Sequence, residues 1–229
     1  MLYAIAPMAA HLDLEEQEQL EQVKAFWKRW GNLITWVITL ALAAYAAWQG
    51  WNWYERDQAN QAAAMYDEFE RAAQAGDVDK ASGISNDLRS RFAKTGFTAQ
   101  AGLQAAKLQF EKGKADAAQQ NLEWVAEHGN LPEYRDLARL RLAGVLMDAK
   151  KLDEAAKALD GVTAAEFAAL VADRRGDLAL LQNKPDAARE QFQKALAGLE
   201  KTQDYRRLVE AKLATLGVAV PEDAASAAK

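Results

Sequence analysis

Apolar and polar residues divide this chain into two parts with different patterns. From Trp30 to Tyr54 the sequence runs for twenty-five residues without a formal charge, and shorter amphipathic, Ala-rich stretches follow it. The first pattern is typical of a helix that is apolar on all sides, and the second of helices with one buried face. Ala, Leu, Glu, Lys and Gln favour helix, and no sustained alternation of Val, Ile and Thr predicts a strand. The sequence therefore predicts an all-α protein.

The uncharged segment predicts a single transmembrane helix over residues 30–54. At about 1.5 Å per residue it can cross a hydrocarbon core of about 30 Å. Trp30 and Trp48 are separated by roughly 27 Å of helix, about one bilayer. Interfacial aromatic residues form a belt at each end of the segment; these belts consist of Trp27 and Trp30 on one side and Trp48, Trp51, Trp53 and Tyr54 on the other.

The charges that flank the span predict its orientation. Lys24, Lys28 and Arg29 precede it, whereas Arg56 and Arg71 follow it among several acidic residues. The positive-inside rule then places the N-terminus in the cytoplasm and the C-terminal domain across the membrane.

Residues 1–29 are accordingly predicted to be a cytoplasmic segment that contains an amphipathic helix. Its helical pattern begins only after Met8, which makes Met8 an alternative start to Met1. Two alternatives to the anchor remain open. Cleavage at Ala44-Tyr45-Ala46 would make the segment a signal peptide, although its long acidic leader is abnormal for one. A buried helix of a soluble core is the other alternative, and the length and the belts disfavour it.

A short signature recurs four times after the span and ends at Ala81, Ala118, Ala155 and Ala188, so that the spacings are 37, 37 and 33. Its Gly or Asn suits a helix end in the left-handed conformation, and its Asp can cap the following helix. The Ala is small, as a close crossing of two helices requires. Other positions recur in units two to four: a small residue twelve before the Ala (Ala106, Ala143, Gly176), a larger one four after it (Leu122, Leu159, Phe192) and a third seven after it (Val125, Val162, Ala195).

This pattern resembles the tetratricopeptide repeat. It predicts a helical solenoid of about four helix pairs over residues 55–218, in which a helix near Asp204–Leu216 caps the stack, and a disordered tail over 219–229. Unit one fits poorly, because Phe69 and Ser85 occupy its small and large positions. An irregular helical bundle is the alternative.

Candidate catalytic chemistry is missing from the sequence. Cysteine is absent, and His11 and His128 have no metal-ligand spacing. The sequence has no nucleophile elbow and no glycine-rich phosphate loop. A net charge of −5 without a basic face excludes a typical nucleic-acid binder. We therefore expect no catalytic, metal-binding or cofactor-binding residue, and a protein that is not an enzyme.

The complete layout is similar to the bacterial YfgM family, the ancillary subunit of the SecYEG translocon. The resemblance rests on Val23–Trp27, Gly31, Trp51–Tyr54 and the repeat stretches Leu137–Ala143 and Val171–Asp177. It implies an inner-membrane protein whose repeats lie in the periplasm. It also implies association with the SecYEG translocon and with a PpiD-like membrane-anchored periplasmic chaperone, and assistance to exported unfolded proteins. The family has no catalytic residues to transfer.

Helical solenoids bind partners on the face lined by the first helix of each pair. Counting from the small residues of those helices gives the candidates Leu103, Lys107, Phe110, Leu140, Met147, Asp173, Asp177 and Leu180. The apolar candidates are expected mainly to pack between repeats, and Lys107, Asp173 and Asp177 mainly to contact a partner. The alternative function is a periplasmic scaffold for cell-envelope assembly or division, and an enzyme of unknown class is the third hypothesis.

Overall fold

The computed structural model describes residues 14–200 and 204–218, with side chains from residue 18 onward. The first thirteen residues, including Met8, and the tail 219–229 lie outside the described residues. Within the described part there is no strand, only α-helices and one short 3₁₀ helix, Ala165–Phe167. The α-helices are α1 Leu14–Gln74, α2 Val78–Phe92, α3 Gly96–Glu111, α4 Ala115–His128, α5 Pro132–Asp148, α6 Leu152–Asp160, α7 Ala168–Leu181, α8 Pro185–Gly198 and α9 Asp204–Thr215. The all-α prediction is confirmed.

The described residues divide into two compact units, the first ending at Arg56 and the second beginning at Asp57. Helix α1 contains a stretch long and apolar enough to cross a membrane, and 6% of that stretch is buried. A buried helix of a soluble core, which was one of the alternatives, would have most of this stretch buried. The hydroxyl groups of Thr35 and Thr39 donate to the carbonyl oxygens of Gly31 and Thr35 at 2.8 Å. These hydroxyl groups are therefore satisfied within the helix, as a lipid environment requires.

The second unit is a stack of helix pairs. The last turns of α1 pack on α2 around Phe69 and Leu88, which are both fully buried. The next three pairs are α3 with α4, α5 with α6, and α7 with α8, and α9 packs on α8 through Val209 and Leu213. The predicted four pairs and capping helix are confirmed. The first member of pair one is the end of α1 rather than a separate helix.

The recurring signature marks the turn inside each pair. Gly76, Gly113, Lys150 and Asn183 have φ values of 71°, 76°, 62° and 58°. At Gly113 the backbone N–H donates to the carbonyl of Phe110 at 2.9 Å, and the next N–H donates to Gln109 at 2.8 Å. This is the Schellman arrangement, which satisfies the last carbonyl groups of a helix. The left-handed position was predicted from Gly and Asn, and Lys150 adopts it despite its β-carbon.

The small and large positions of the repeats behave as predicted. The four recurring Ala residues are at most 1% exposed, and the larger positions at Leu122, Leu159 and Phe192 at most 2%. Gly176 shows why one small position must be small, because a β-carbon there would collide with the ring of Phe192. Close crossing of α7 and α8 therefore depends on the absence of that atom.

Two details differ from the repeat pattern. Val162 was predicted in the second helix of unit three, but α6 ends at Asp160 and Val162 lies beyond it, half-buried. Beyond this end, which has Gly161 as its C-cap residue, the carboxylate of Asp136 accepts the N–H groups of Thr163 and Ala164 at 2.9 and 2.8 Å. Among the signature residues only Asp77 caps its helix, by accepting the Lys80 N–H at 3.0 Å, and the other three signatures have lysine at this position. The second helices of units two to four have no side-chain cap.

Candidate partner-binding groove

The first helices of units two, three and four form one groove. Helices α3, α5 and α7 are neighbours in the stack, and the open space between them has a volume of about 830 Å³. Its lining comes from α3 (Ala106, Lys107, Phe110), from α4 (Leu122), from α5 (Leu140, Arg141, Gly144, Val145, Met147, Asp148) and from α7 (Arg174, Asp177, Leu180, Leu181). This set of residues is called the groove below.

The repeat places apolar side chains at equivalent points of the three helices. Phe110, Met147 and Leu180 each lie four residues after the small residue of their helix, and together they are called the apolar row. Phe110 is 40% exposed and Leu180 38%, whereas Met147 is buried between them. Leu181, the residue after the row in α7, also lines the groove and is exposed. Apolar area is therefore available to a ligand along this line.

Six of the eight residues predicted for the partner-binding face line the groove: Lys107, Phe110, Leu140, Met147, Asp177 and Leu180. Leu103 does not line it, because it is buried in the core between repeats. Asp173 does not line it either, and its side chain is completely buried. The expectation that Asp173 contacts a partner from the surface is thus corrected. Whether the six lining residues bind a partner stays a prediction.

Asp173 is buried because the capping helix covers it. Its carboxylate accepts the Tyr205 hydroxyl at 2.6 Å and the Lys212 ammonium at 2.8 Å, both from α9. Burial, and next the bond to Asp173, raise the pKa of Tyr205, so the phenol stays protonated. The Lys212 ammonium also lies 2.7 Å from a carboxylate oxygen of Asp177 in the groove. These bonds fasten α9 to α7.

Sequence reasoning missed this network for a definable reason. Tyr205 and Lys212 follow Asp173 by 32 and 39 residues, a separation that no repeat position relates. A buried carboxylate requires a partner, but the exposure of Asp173 was not visible in the pattern.

Two arginines occupy the same position of successive repeats in the groove. Arg141 and Arg174 each precede the small residue of their helix by two. Arg174 lies 3.2 Å from Asp177, three residues later. The residue three after Arg141 is Gly144, which has no side chain to offer. Comparison of these two repeat positions shows from the sequence that Arg141 lacks this neighbouring carboxylate, but not that it lines a groove.

Arg141 keeps donors for a further acceptor. One guanidinium nitrogen donates to the carbonyl oxygen of Leu103 at 3.4 Å, a long bond. Across the described residues, no carboxylate lies within 4 Å of its guanidinium group. Burial lowers the pKa of Arg141 from its usual value, but an arginine still carries its charge at neutral pH.

The chemistry of the groove suits recognition. It combines exposed apolar area with a small number of oriented charges, as binding sites do. Among the described residues, no group of three or more His, Cys, Asp and Glu side chains could hold a metal ion.

Known proteins resemble the chain over nearly its whole length. A family model described as a tetratricopeptide repeat-like domain matches residues 24–218. A protein of Neisseria gonorrhoeae named ancillary SecYEG translocon subunit is 32% identical over 213 residues, covering 91% of this chain and 100% of the relative. Proteins of the same name from Haemophilus influenzae and Escherichia coli are 28% and 29% identical, over 80% and 76% of this chain and 89% and 84% of their own lengths.

Proposed function

This chain belongs to the tetratricopeptide repeat-like family of the ancillary SecYEG translocon subunits, and we propose that it is itself a non-enzymatic ancillary subunit of that translocon. The observation that carries the proposal is a match that spans both the apolar part of α1 and the repeats. The extent of the match matters because a match limited to the repeats would indicate only the fold and not the function. The role combines a membrane anchor with a binding surface.

The anchor part of the proposal is a single span over residues 30–54 in the bacterial inner membrane. Its N-terminus lies in the cytoplasm and residues 55–218 lie in the periplasm. The basic flank at Lys24, Lys28 and Arg29 supports this orientation. The two aromatic belts support the depth of the span, because Trp and Tyr side chains favour the headgroup region.

The binding part of the proposal assigns the groove to a periplasmic partner. That partner is an exported unfolded protein, and a PpiD-like membrane-anchored periplasmic chaperone is a second proposed partner of the repeat domain. The apolar row supports an unfolded client, since newly exported chains still expose the side chains that folding will bury. Exposed Phe110, Leu180 and Leu181 offer the matching surface.

Site-specific photocrosslinking tests the proposal in cells. A photoreactive residue at Leu40 should crosslink to a membrane subunit of the translocon, and one at Phe110 to a chaperone or an exported protein. A third at Lys194, an exposed position of α8 outside the groove, is the control and should give neither product. Products with peptidoglycan synthases in place of translocon subunits would support the scaffold alternative and contradict the proposal.

Orientation has its own test, which the absence of cysteine simplifies. Gln19→Cys and Ser90→Cys are single-cysteine variants at exposed positions on either side of the predicted span. In intact spheroplasts, a membrane-impermeant maleimide should label Cys at 90 and leave Cys at 19 unlabelled. Both should react after detergent lysis. Labelling of position 19 before lysis would show that the N-terminus lies in the periplasm and would contradict the proposed orientation.

A further inference from the structure

We propose that the groove binds extended segments of unfolded proteins that combine apolar side chains with a carboxylate, and that Arg141 binds this carboxylate. The inference rests on the function proposed above and specifies the ligand of the same surface. It arises from a difference between two repeats. Arg174 has a carboxylate three residues further along its helix, and Arg141 has Gly144 instead.

The space beside Arg141 is open for such a carboxylate. A β-carbon built at Gly144 would meet no atom within 4 Å. Gly144 lines the groove together with Arg141, so the missing side chain leaves room on the side from which a ligand arrives. A ligand carboxylate would bind beside Arg141 at the position equivalent to that of the Asp177 carboxylate beside Arg174.

The charges around the groove favour an acidic ligand at this point. Lys107 also lines the groove, and its ammonium lies 3.8 Å from Glu111, a long contact between exposed groups that contributes little. On the other side, Asp177 is already held by Arg174 and Lys212. Asp148 is the other acidic lining residue, and it is seven residues from Arg141 on α5, about 10 Å along the helix.

The apolar row sets the spacing within the ligand. Met147 follows Arg141 by six residues, which is about 9 Å along the helix axis. An extended chain rises about 3.3 Å per residue. A carboxylate about three residues from an apolar side chain can therefore reach Arg141 while the apolar group contacts the row.

A pair of labelled peptides tests this inference. The probe is a ten-residue fluorescein-labelled peptide in which Leu-Phe-Leu is followed by Ser, Gly and Glu, and its match has Gln in place of Glu. Fluorescence anisotropy with the full chain in detergent micelles measures both affinities. We expect the Glu peptide to bind roughly tenfold more tightly than the Gln peptide, as a charge-assisted hydrogen bond implies. Equal affinities would overturn the inference.

Variants at Gly144 separate charge from shape. Gly144→Asp supplies Arg141 with an internal carboxylate like that of Asp177, and Gly144→Asn has the same size without the charge. We expect Gly144→Asp to abolish the preference for Glu and Gly144→Asn to keep it. Equal loss in both would show a steric effect and overturn the inference. Arg141→Gln should also abolish the preference, whereas Arg207→Gln, an exposed substitution on α9 outside the groove, should preserve it.

The two proposals fail in different ways. Circular dichroism and thermal unfolding verify that each variant is folded. If the peptide preference is absent while the Leu40 crosslink to the translocon persists, the ligand inference is wrong and the proposed function stands. If the photoreactive residue at Leu40 gives no crosslink to the translocon in a chain with no groove substitution, the proposed function is wrong, whatever the peptide affinities are.

Discussion

Substitution of Lys212 by Met should lower the free energy of unfolding of the second unit by about 3 kcal/mol, because it leaves the buried Asp173 carboxylate without its cation. Asp173 is fully buried, and the Lys212 ammonium contacts both of its oxygens at 2.8 and 3.0 Å. The Tyr205 hydroxyl alone cannot neutralise that charge. The Lys212 ammonium also lies 5.1 Å from the centroid of the Phe192 ring, so the loss reports the ion pairs together with this cation–π contact. Urea denaturation followed by circular dichroism measures it.

Two further variants distinguish loss of the ion pair from a general effect of replacing a lysine by methionine. Lys194→Met is the matched control, since Lys194 is exposed on α8, and it should change stability by less than about 0.5 kcal/mol. The double substitution Asp173→Asn with Lys212→Met should regain part of the loss, because it removes the buried charge along with its partner. A Lys212→Met variant as stable as the Lys194 control would refute the account of α9 as a helix held by this network.

Substitution of Asp136 by Asn should destabilise the second unit by about 2–3 kcal/mol. The Asp136 side chain is buried, and one oxygen accepts the N–H groups of Thr163 and Ala164 while the other accepts Arg139 at 2.7 Å. An amide must turn its NH2 group toward one of these donors. The connection between α6 and α7 would lose its anchor. Chemical denaturation at neutral pH measures the loss, and Asp116→Asn, at an exposed position of α4, is the control.

The same carboxyl group should make stability depend on pH. Burial alone would raise the pKa of Asp136, but the backbone N–H groups of Ala164 and Thr163 and the Arg139 guanidinium outweigh it, and the pKa is lowered. A lowered pKa in the folded state stabilises the fold above the usual pKa of about 4. This stabilisation disappears as the pH falls through the lowered value. The Asn variant should lose less stability than the unaltered chain over that acidic range, and equal slopes would contradict this role.

The sequence already contained the repeat turns and the packing positions. Each depends on a local requirement: a left-handed residue at Gly113 or Asn183, or a small one at Ala118 where helices cross. These requirements recur in each repeat, so they can be recognised from the sequence alone. The length of the apolar span and the position of its aromatic belts can also be recognised from the sequence alone. Counting from the small residues also found six members of the groove, because equivalent positions of successive repeats face the same side.

Tertiary structure alone decided which charged residues are buried and which remain available to a ligand. Asp173 and Asp177 look alike in sequence, yet Asp173 is enclosed by α9 and Asp177 lines the groove. The segment after α6 is likewise bonded to Asp136 of another helix. These outcomes depend on contacts between residues more than twenty-five positions apart, whose free energies follow from desolvation and geometry. The sequence by itself determined the helices, the repeat and the apolar span, because these need only neighbouring residues; the burial of Asp173 and the opening beside Arg141 needed the packed helices.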